Sequence, residues 1–87
     1  MPVPKRILEI GQCNIDGPRL GRYLSRHFAC EIDRAHTQEQ ALQLAQTHQY
    51  DLALVNRILN FDRTPGLAVI SALRALAPSL PIMLISD

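Results

Sequence analysis

The spacing of apolar residues along the chain predicts four short strands that alternate with three helices. Apolar runs at positions 6–10, 52–55 and 82–85 are typical of buried strands, and the weaker alternation at 30–35 suits an edge strand. Between them, apolar residues recur at helical spacing, as Leu20, Leu24 and Phe28 do in the first helix. Strands that alternate with helices in this way predict right-handed crossovers and a parallel sheet.

Local signals mark where the first two helices begin. Pro18 is favoured in a first helical turn, and either Asp16 or Gly17 precedes it as a cap. Thr37 and Gln40 have the spacing of a capping box, which predicts a second helix that runs to about position 48.

The third helix is predicted to begin at Gly66, after a loop at 56–65 that is longer than most strand-to-helix connections. Pro78 and Pro81 end it. The apolar positions predicted to face inward from the second and third helices are Ala41, Leu42, Ala45, Leu67, Ile70, Leu73 and Ala77.

Composition and charge narrow the class of protein. The chain has 87 residues, of which 47% are hydrophobic, so we expect a single domain over residues 1–87. A formal net charge of +1 gives no support for nucleic-acid binding, and no apolar run is long enough to span a membrane. The start has no signal-peptide layout, so we expect a cytoplasmic protein in which Cys13 and Cys30 do not form a disulfide.

Three segments carry a resemblance to a known family. They are "KRILEI" at the first strand, "AHTQEQALQLAQTHQYDLALV" at the second helix and third strand, and "GLAVISALRALAPSLPIMLIS" at the third helix and fourth strand. Together they make the chain resemble the receiver domain of two-component response regulators. The resemblance implies a three-layer flavodoxin-like α/β fold with strand order 2-1-3-4. It also implies a last strand and further helices that are missing here, so the domain is expected to be truncated at its C-terminus.

The resemblance also implies where a phosphorylation pocket would lie. In the family, two acidic residues after the first strand hold magnesium, an aspartate ending the third strand takes the phosphoryl group, and a hydroxyl ends the fourth strand. These positions correspond to Gly11 and Gln12, to Asn56, and to Ser86. Only Ser86 matches the family pattern, so the sequence predicts a degenerate pocket from which the carboxylates have been lost as a group.

The resulting interpretation is a pseudo-receiver that signals through protein contacts, independently of phosphorylation, with a signalling kinase or an output domain as partner. We expect no enzymatic activity and no cofactor, because no carboxylate pair, His–Cys or Ser–His arrangement follows from the spacing. We expect no metal site, because the histidines do not share a helical face at ligand spacing. One alternative is a flavodoxin-like domain that binds a small ligand at the strand ends. Another is a phosphorylatable receiver that uses Asp62 as an atypical acceptor.

Two surface features bear on partners. Arg19, Arg22 and Arg26 fall on the polar side of the first helix, where they would suit an acidic partner. A sheet without its last strand exposes an unpaired edge, so the chain is either a fragment or pairs with a second copy as a homodimer. Glu9 is unusual because it lies inside a central strand, where a buried carboxylate needs a partner.

Overall fold

Strands and helices alternate along the chain in the order that the sequence predicts. The computed structural model describes residues 5–12, 16–27 and 29–85. Its elements are β1 (Lys5–Ile10), α1 (Asp16–His27), β2 (Cys30–Ala35), α2 (Gln38–Thr47), β3 (Leu52–Asn56), α3 (Gly66–Leu76) and β4 (Ile82–Ile85).

The strands form one parallel sheet in the order β2-β1-β3-β4, which confirms the predicted flavodoxin-like topology. β1 and β3 are central, and the run at 53–55 in β3 is buried. That burial agrees with the near-continuous apolar composition expected of a strand that is covered on both faces.

The main hydrophobic core lies between one face of the sheet and the helices α2 and α3. Leu8 pairs with Ala53 and Ile10 with Val55, so these side chains point to the same face and meet the two helices. From α2 and α3, the fully buried contributions to this core are Ala41, Val69 and Leu73.

The second helix follows its sequence signals. The Thr37 side chain accepts a hydrogen bond from the backbone N–H of Gln40 at 3.1 Å, as predicted for the cap. The Gln40 side chain in turn accepts from the backbone N–H of His36 at 2.8 Å. Leu42 and Ala45 are partly buried against the core, which confirms the predicted inner face.

One predicted position of α3 is wrong. Leu67 was expected to face the core, but 67% of it is exposed. The inner face begins instead at Gly66, whose N–H donates to the carbonyl of Arg57 at 2.7 Å, and continues through the buried Val69 and Leu73. Because successive helical residues are about 100° apart, Leu67 is turned away once Gly66 is pressed against the sheet end.

The opposite face of the sheet carries α1 over β2. A Cβ atom added to Gly21 would lie 3.7 Å from Cδ1 of Ile32, so α1 lies close to β2 without crowding it. Leu20 and Leu24 are half-buried, and their predicted neighbour Phe28 lies outside the described residues. On the same face of the sheet as Ile32 lie Ile7 and Glu9, both buried.

Candidate functional site

The carboxyl ends of β1 and β3 bring two of the predicted site residues together. Ile10 pairs with Val55, so Gly11 lies beside Asn56 just beyond the two strands. The Asn56 side-chain Nδ2 donates to the Gly11 carbonyl at 3.4 Å. In open parallel sheets, ligands bind outside this carboxyl edge.

The Asn56 amide organises the start of the β3–α3 loop. Its Nδ2 also donates to the carbonyl of Ile58 at 2.9 Å, and its Oδ1 accepts from the backbone N–H of Arg57 at 3.1 Å. An ionised carboxylate can only accept hydrogen bonds, so an aspartate would place an oxygen against the carbonyls of Gly11 and Ile58. This environment fits an amide and opposes a carboxylate.

Gly11 occupies a position that only glycine fits. Its φ is +86°, and an added Cβ would lie 2.6 Å from Cγ of the fully buried Leu59. The backbone is fixed on both sides, since the Gly11 N–H donates to Ala35 at 2.9 Å and its carbonyl accepts from Asn60 at 3.0 Å. The loop therefore fills, with Leu59, the space into which a side chain at position 11 would extend.

Gln12 and Glu9 form a buried polar group with Arg34. The Arg34 Nη2 donates to the Gln12 carbonyl at 3.2 Å, and its Nε lies 3.3 Å from the Glu9 carboxylate. Burial raises the pKa of Glu9, and the Arg34 charge partly opposes that rise. The buried Glu9 carboxylate therefore has Arg34 as its ion-pair partner, although neither Glu9 oxygen accepts a hydrogen bond from the described residues.

The β3–α3 loop is a small folded unit. Ile58 forms an isolated antiparallel bridge with Pro65, and the Leu59 N–H donates to the Thr64 carbonyl at 2.8 Å. At its base lies a cleft of about 130 Å³, called here the strand-end cleft. Its lining residues are Asn56, Arg57, Ile58, Asn60 and Arg63.

The alternative acceptor, Asp62, lies apart from any carboxylate cluster. It is exposed, and its Oδ1 accepts from the Thr64 N–H at 3.0 Å. Hydrogen bonding with the Thr64 side chain, and then with the Thr64 backbone, lowers the pKa of Asp62. Within residues 5–12, 16–27 and 29–85, no group of three or more His, Cys, Asp or Glu side chains could hold a metal ion. Ser86 and Cys13 lie outside those ranges.

The predicted partner residues on α1 are accessible. Arg19, Arg22 and Arg26 are all exposed. Tyr23 is 60% exposed beside them, and its ring lies 4.5 Å from that of His27 between centroids. The exposed face of α1 is therefore both basic and aromatic.

Sequence reasoning did not identify Leu59, Arg57 or Arg63 as site residues. Leu59 acts through a contact with Gly11 that depends on how the loop folds back. The two arginines are visible in "NRILNFDRTPG", and the signal that could have found them is the pair of cations beside a strand end. Arg34 was missed because its partnership with Glu9 depends on the register of β1 and β2.

Comparisons with known proteins reveal the fold but no sequence family. No family model matches the chain, and no curated protein matches it. Among solved structures, a mutant of the response regulator MaeR bound to sulfate superposes with a TM-score of 0.84 at 19% identity, over 98% of this chain and 69% of that one.

Two further neighbours are somewhat more similar in sequence. A response regulator from Burkholderia pseudomallei, with a phosphorylated aspartic acid, calcium ion and citrate, has a TM-score of 0.81 at 28% identity, over 94% of this chain and 46% of that one. A chain from the complex of histidine kinase ThkA with response regulator TrrA has a TM-score of 0.82 at 28% identity, over 95% of this chain and 69% of that one. The structural neighbours are response regulators, and this chain has the fold of their receiver domains.

The described helices also bear on membrane association. Among them, none is both long enough and apolar enough to cross a bilayer.

Proposed function

We propose that this chain is a pseudo-receiver of two-component signalling, which acts through protein contacts and takes no phosphoryl group. The observation that carries the proposal is the Asn56 amide, which donates to two carbonyls and accepts from one N–H at the carboxyl end of β3. Phosphoryl transfer to a side chain needs an anionic oxygen and a cation held beside it. Gly11, Gln12 and Asn56 offer neither.

The backbone around Gly11 supports the same proposal. A carboxylate cannot be restored there by a simple side-chain exchange, because Leu59 fills the space and the φ of +86° disfavours any other residue. The Burkholderia neighbour holds a phosphorylated aspartic acid and a calcium ion. In the proposal, this chain keeps the architecture of such a protein and has lost that chemistry. It is a cytoplasmic, non-enzymatic module without a cofactor.

The proposal includes a protein partner, either a signalling kinase or an output domain. The complex of ThkA with TrrA supports a protein partner in general. The basic face of α1 would favour an acidic surface, because complementary charge speeds association and selects partners. Binding proteins would first be selected against the wild-type chain. They should no longer bind a variant that combines Arg19→Gln, Arg22→Gln and Arg26→Gln. They should still bind Arg74→Gln, which removes an exposed arginine on α3.

A homodimer through β4 is a further part of the proposal. β4 is an edge of the described sheet, and Met83 on it is 57% exposed. Sedimentation should show a dimer that Met83→Lys dissociates. Leu67→Lys, at a position that is 67% exposed on α3, is the matched control and should leave the dimer intact.

The experiment that tests the proposed function uses nuclear magnetic resonance on the ¹⁵N-labelled chain. Addition of magnesium in the presence of beryllium fluoride, a mimic of the phosphoryl group, should cause no further shift at the amides of Gly11, Gln12 and Arg57. A phosphorylatable receiver treated in parallel should respond and so validates the reagents. Metal-dependent, saturable shifts at these amides in this chain would contradict the proposal.

The small-ligand alternative is less well supported. The strand-end cleft of about 130 Å³ is well below the roughly 300–1,000 Å³ of typical ligand pockets. Larger clefts of about 600 and 460 Å³ lie along α2 and near the amino end of β3, away from the carboxyl edge where such a ligand was expected.

A further inference from the structure

The strand-end cleft has an unusual balance of charge. Two arginines, Arg57 and Arg63, and two asparagines, Asn56 and Asn60, contribute to its lining, and no described carboxylate does. Its volume of about 130 Å³ is room for about four water molecules. A cleft of this size suits a small hydrated ion better than an organic cofactor.

The side chains of Arg57 and Arg63 have no hydrogen-bond or ion-pair partner among the described residues. The ion pairs found there join Arg6 to Asp33 and Arg34 to Glu9, and neither includes Arg57 or Arg63. The nearby Asp62 carboxylate is hydrogen-bonded to the Thr64 backbone. Both cations are therefore available to a ligand.

The backbone holds both arginines in defined positions. The Arg57 N–H donates to the carbonyl of Ile85 at 2.9 Å and to the Asn56 side chain at 3.1 Å. The Arg63 N–H donates to the Leu59 carbonyl at 2.9 Å. Fixed attachment points reduce the ordering cost when the side chains close on a ligand.

Arg63 also lies in a backbone conformation that its side chain does not favour. Its φ is +64°, and it is the one residue other than glycine with a positive φ among the described residues. Glycine or asparagine would adopt this conformation with less strain. Strain of this kind is concentrated at functional sites, which agrees with a binding role for Arg63.

We propose that the strand-end cleft binds a tetrahedral oxyanion, phosphate or the phosphate group of a small monoester, non-covalently through Arg57 and Arg63. The planar guanidinium fork matches the geometry of phosphate oxygens and forms strong charge-assisted hydrogen bonds with them. The exposed Asn60 amide can donate a further hydrogen bond. No covalent bond is made or broken. The anion is held by charge beside Asn56, whose amide cannot accept a phosphoryl group.

This inference rests on the proposed function in one respect: in both, the carboxyl edge of the sheet binds a partner or ligand and does not take up a phosphoryl group. The two can fail separately. A phosphorylated chain would contradict the proposed function, whereas the absence of reversible anion binding would contradict only this inference.

The test is a titration of the ¹⁵N-labelled chain with inorganic phosphate, and separately with phenyl phosphate, at constant ionic strength maintained with chloride. We expect saturable shifts at the amides of residues 57–63. Arg57→Gln and Arg63→Asn should each raise the dissociation constant about tenfold, the loss expected for one charge-assisted contact. Asparagine suits the positive φ at position 63, so that variant removes the charge without adding strain.

Lys5→Gln on β1 and Arg74→Gln on α3 are the matched controls, since each removes one exposed cation elsewhere. They should leave the dissociation constant within about twofold of the wild type, as expected for screened surface charges. Shifts that stay linear with phosphate, that chloride reproduces, or that persist in both Arg57→Gln and Arg63→Asn would overturn the proposal. Binding of both probes would identify the phosphate group itself as the ligand, and binding of phenyl phosphate alone would identify a monoester.

Discussion

Polar side chains are paired differently at the amino and carboxyl ends of the central strands. Near the amino ends of β1 and β3, Asp33 accepts from Tyr50 at 2.6 Å and pairs with Arg6 at 2.9 Å, while the Arg6 N–H donates to Asp51 at 2.8 Å. At the carboxyl ends of β1 and β3, the Asn56 amide meets the Gly11 backbone without a charged pair between them, and the only ion pair described near this edge joins Glu9 to Arg34 on the β2 side. The side chains of Arg57 and Arg63 have no partner among the described residues.

This difference separates stability from binding. At the amino end the carboxylates of Asp33 and Asp51 have partners inside the chain, and their contacts join neighbouring strands. At the carboxyl end, Arg57 and Arg63 are exposed and have no partner among the described residues, which suits the proposed anion site. In the proposed pseudo-receiver, the polar contacts that support the amino end of the sheet do not depend on an acidic site at the carboxyl end.

The largest expected effect comes from Gly11→Ala at the carboxyl end. The added Cβ meets Leu59 at 2.6 Å and the φ of +86° disfavours alanine, so we expect a loss of about 3 kcal/mol in the free energy of unfolding. Gly21→Ala is the matched control. Its Cβ has 3.7 Å of space inside α1, and it should be neutral or stabilise by up to about 1 kcal/mol. Urea denaturation measures the free energy of unfolding of both variants. Equal changes would contradict the close contact of Gly11 with Leu59.

The buried pair on the α1 face should respond unequally to loss of its two members. Arg34→Met leaves Glu9 charged and buried, and should cost about 2 kcal/mol at pH 7, less than for a fully buried pair because Arg34 is 27% exposed. Glu9→Met leaves an arginine that can reach water, and should stay within about 1 kcal/mol of the wild type.

The pH dependence of the same pair gives an independent check. Burial raises the folded pKa of Glu9 above its ordinary value of 4.5, so the folded state keeps a proton that the unfolded state has lost. Stability contributed by Glu9 is therefore present below pH 4.5 and falls as the pH rises through the folded pKa. Denaturation across this range should show the fall in the wild type, a steeper fall in Arg34→Met and none from this group in Glu9→Met. Parallel profiles for all three would contradict the assignment.

The smallest effect is expected at the amino end, from Tyr50→Phe. Loss of the hydrogen bond to Asp33 should cost about 1 kcal/mol, at the low end for a charged acceptor because the Asp33 side chain is 34% exposed. Tyr50, and then Arg6, lower the pKa of Asp33 below its ordinary value of 3.8. The stabilisation from Asp33 is thus present above pH 3.8 and lost as the pH falls through the lowered pKa, and it should be smaller in Tyr50→Phe. Thermal denaturation between acidic and neutral pH measures this, and an unchanged acid profile would contradict it.

The fold could be predicted from the sequence because each element has a local signal. The capping pair Thr37 and Gln40 and the apolar runs of the strands depend on neighbours within a few positions. The error at Leu67 arose because periodicity gives the spacing of an apolar face, but packing against the sheet end selects which residues form it.

The candidate site was predictable only in part. The positions of Gly11 and Asn56 at one sheet edge follow from the strand order, which the resemblance to receiver domains implied. The positive φ at Gly11, the contact with Leu59 and the exposed arginines of the cleft depend on the path of the β3–α3 loop. That path is set by long-range hydrogen bonds, such as Asn60 N–H to the Gly11 carbonyl, which leave no periodic signal.

The central claim is that the carboxyl edge no longer accepts a phosphoryl group. Its most direct test is the intact mass of the chain after incubation with acetyl phosphate and magnesium, for the wild type and for Asn56→Asp. We expect both to remain unmodified, because the aspartate would face the carbonyls of Gly11 and Ile58 without acidic metal ligands beside it. A wild-type chain that gains one phosphoryl group, at Asp62 or at any other aspartate, would contradict the claim.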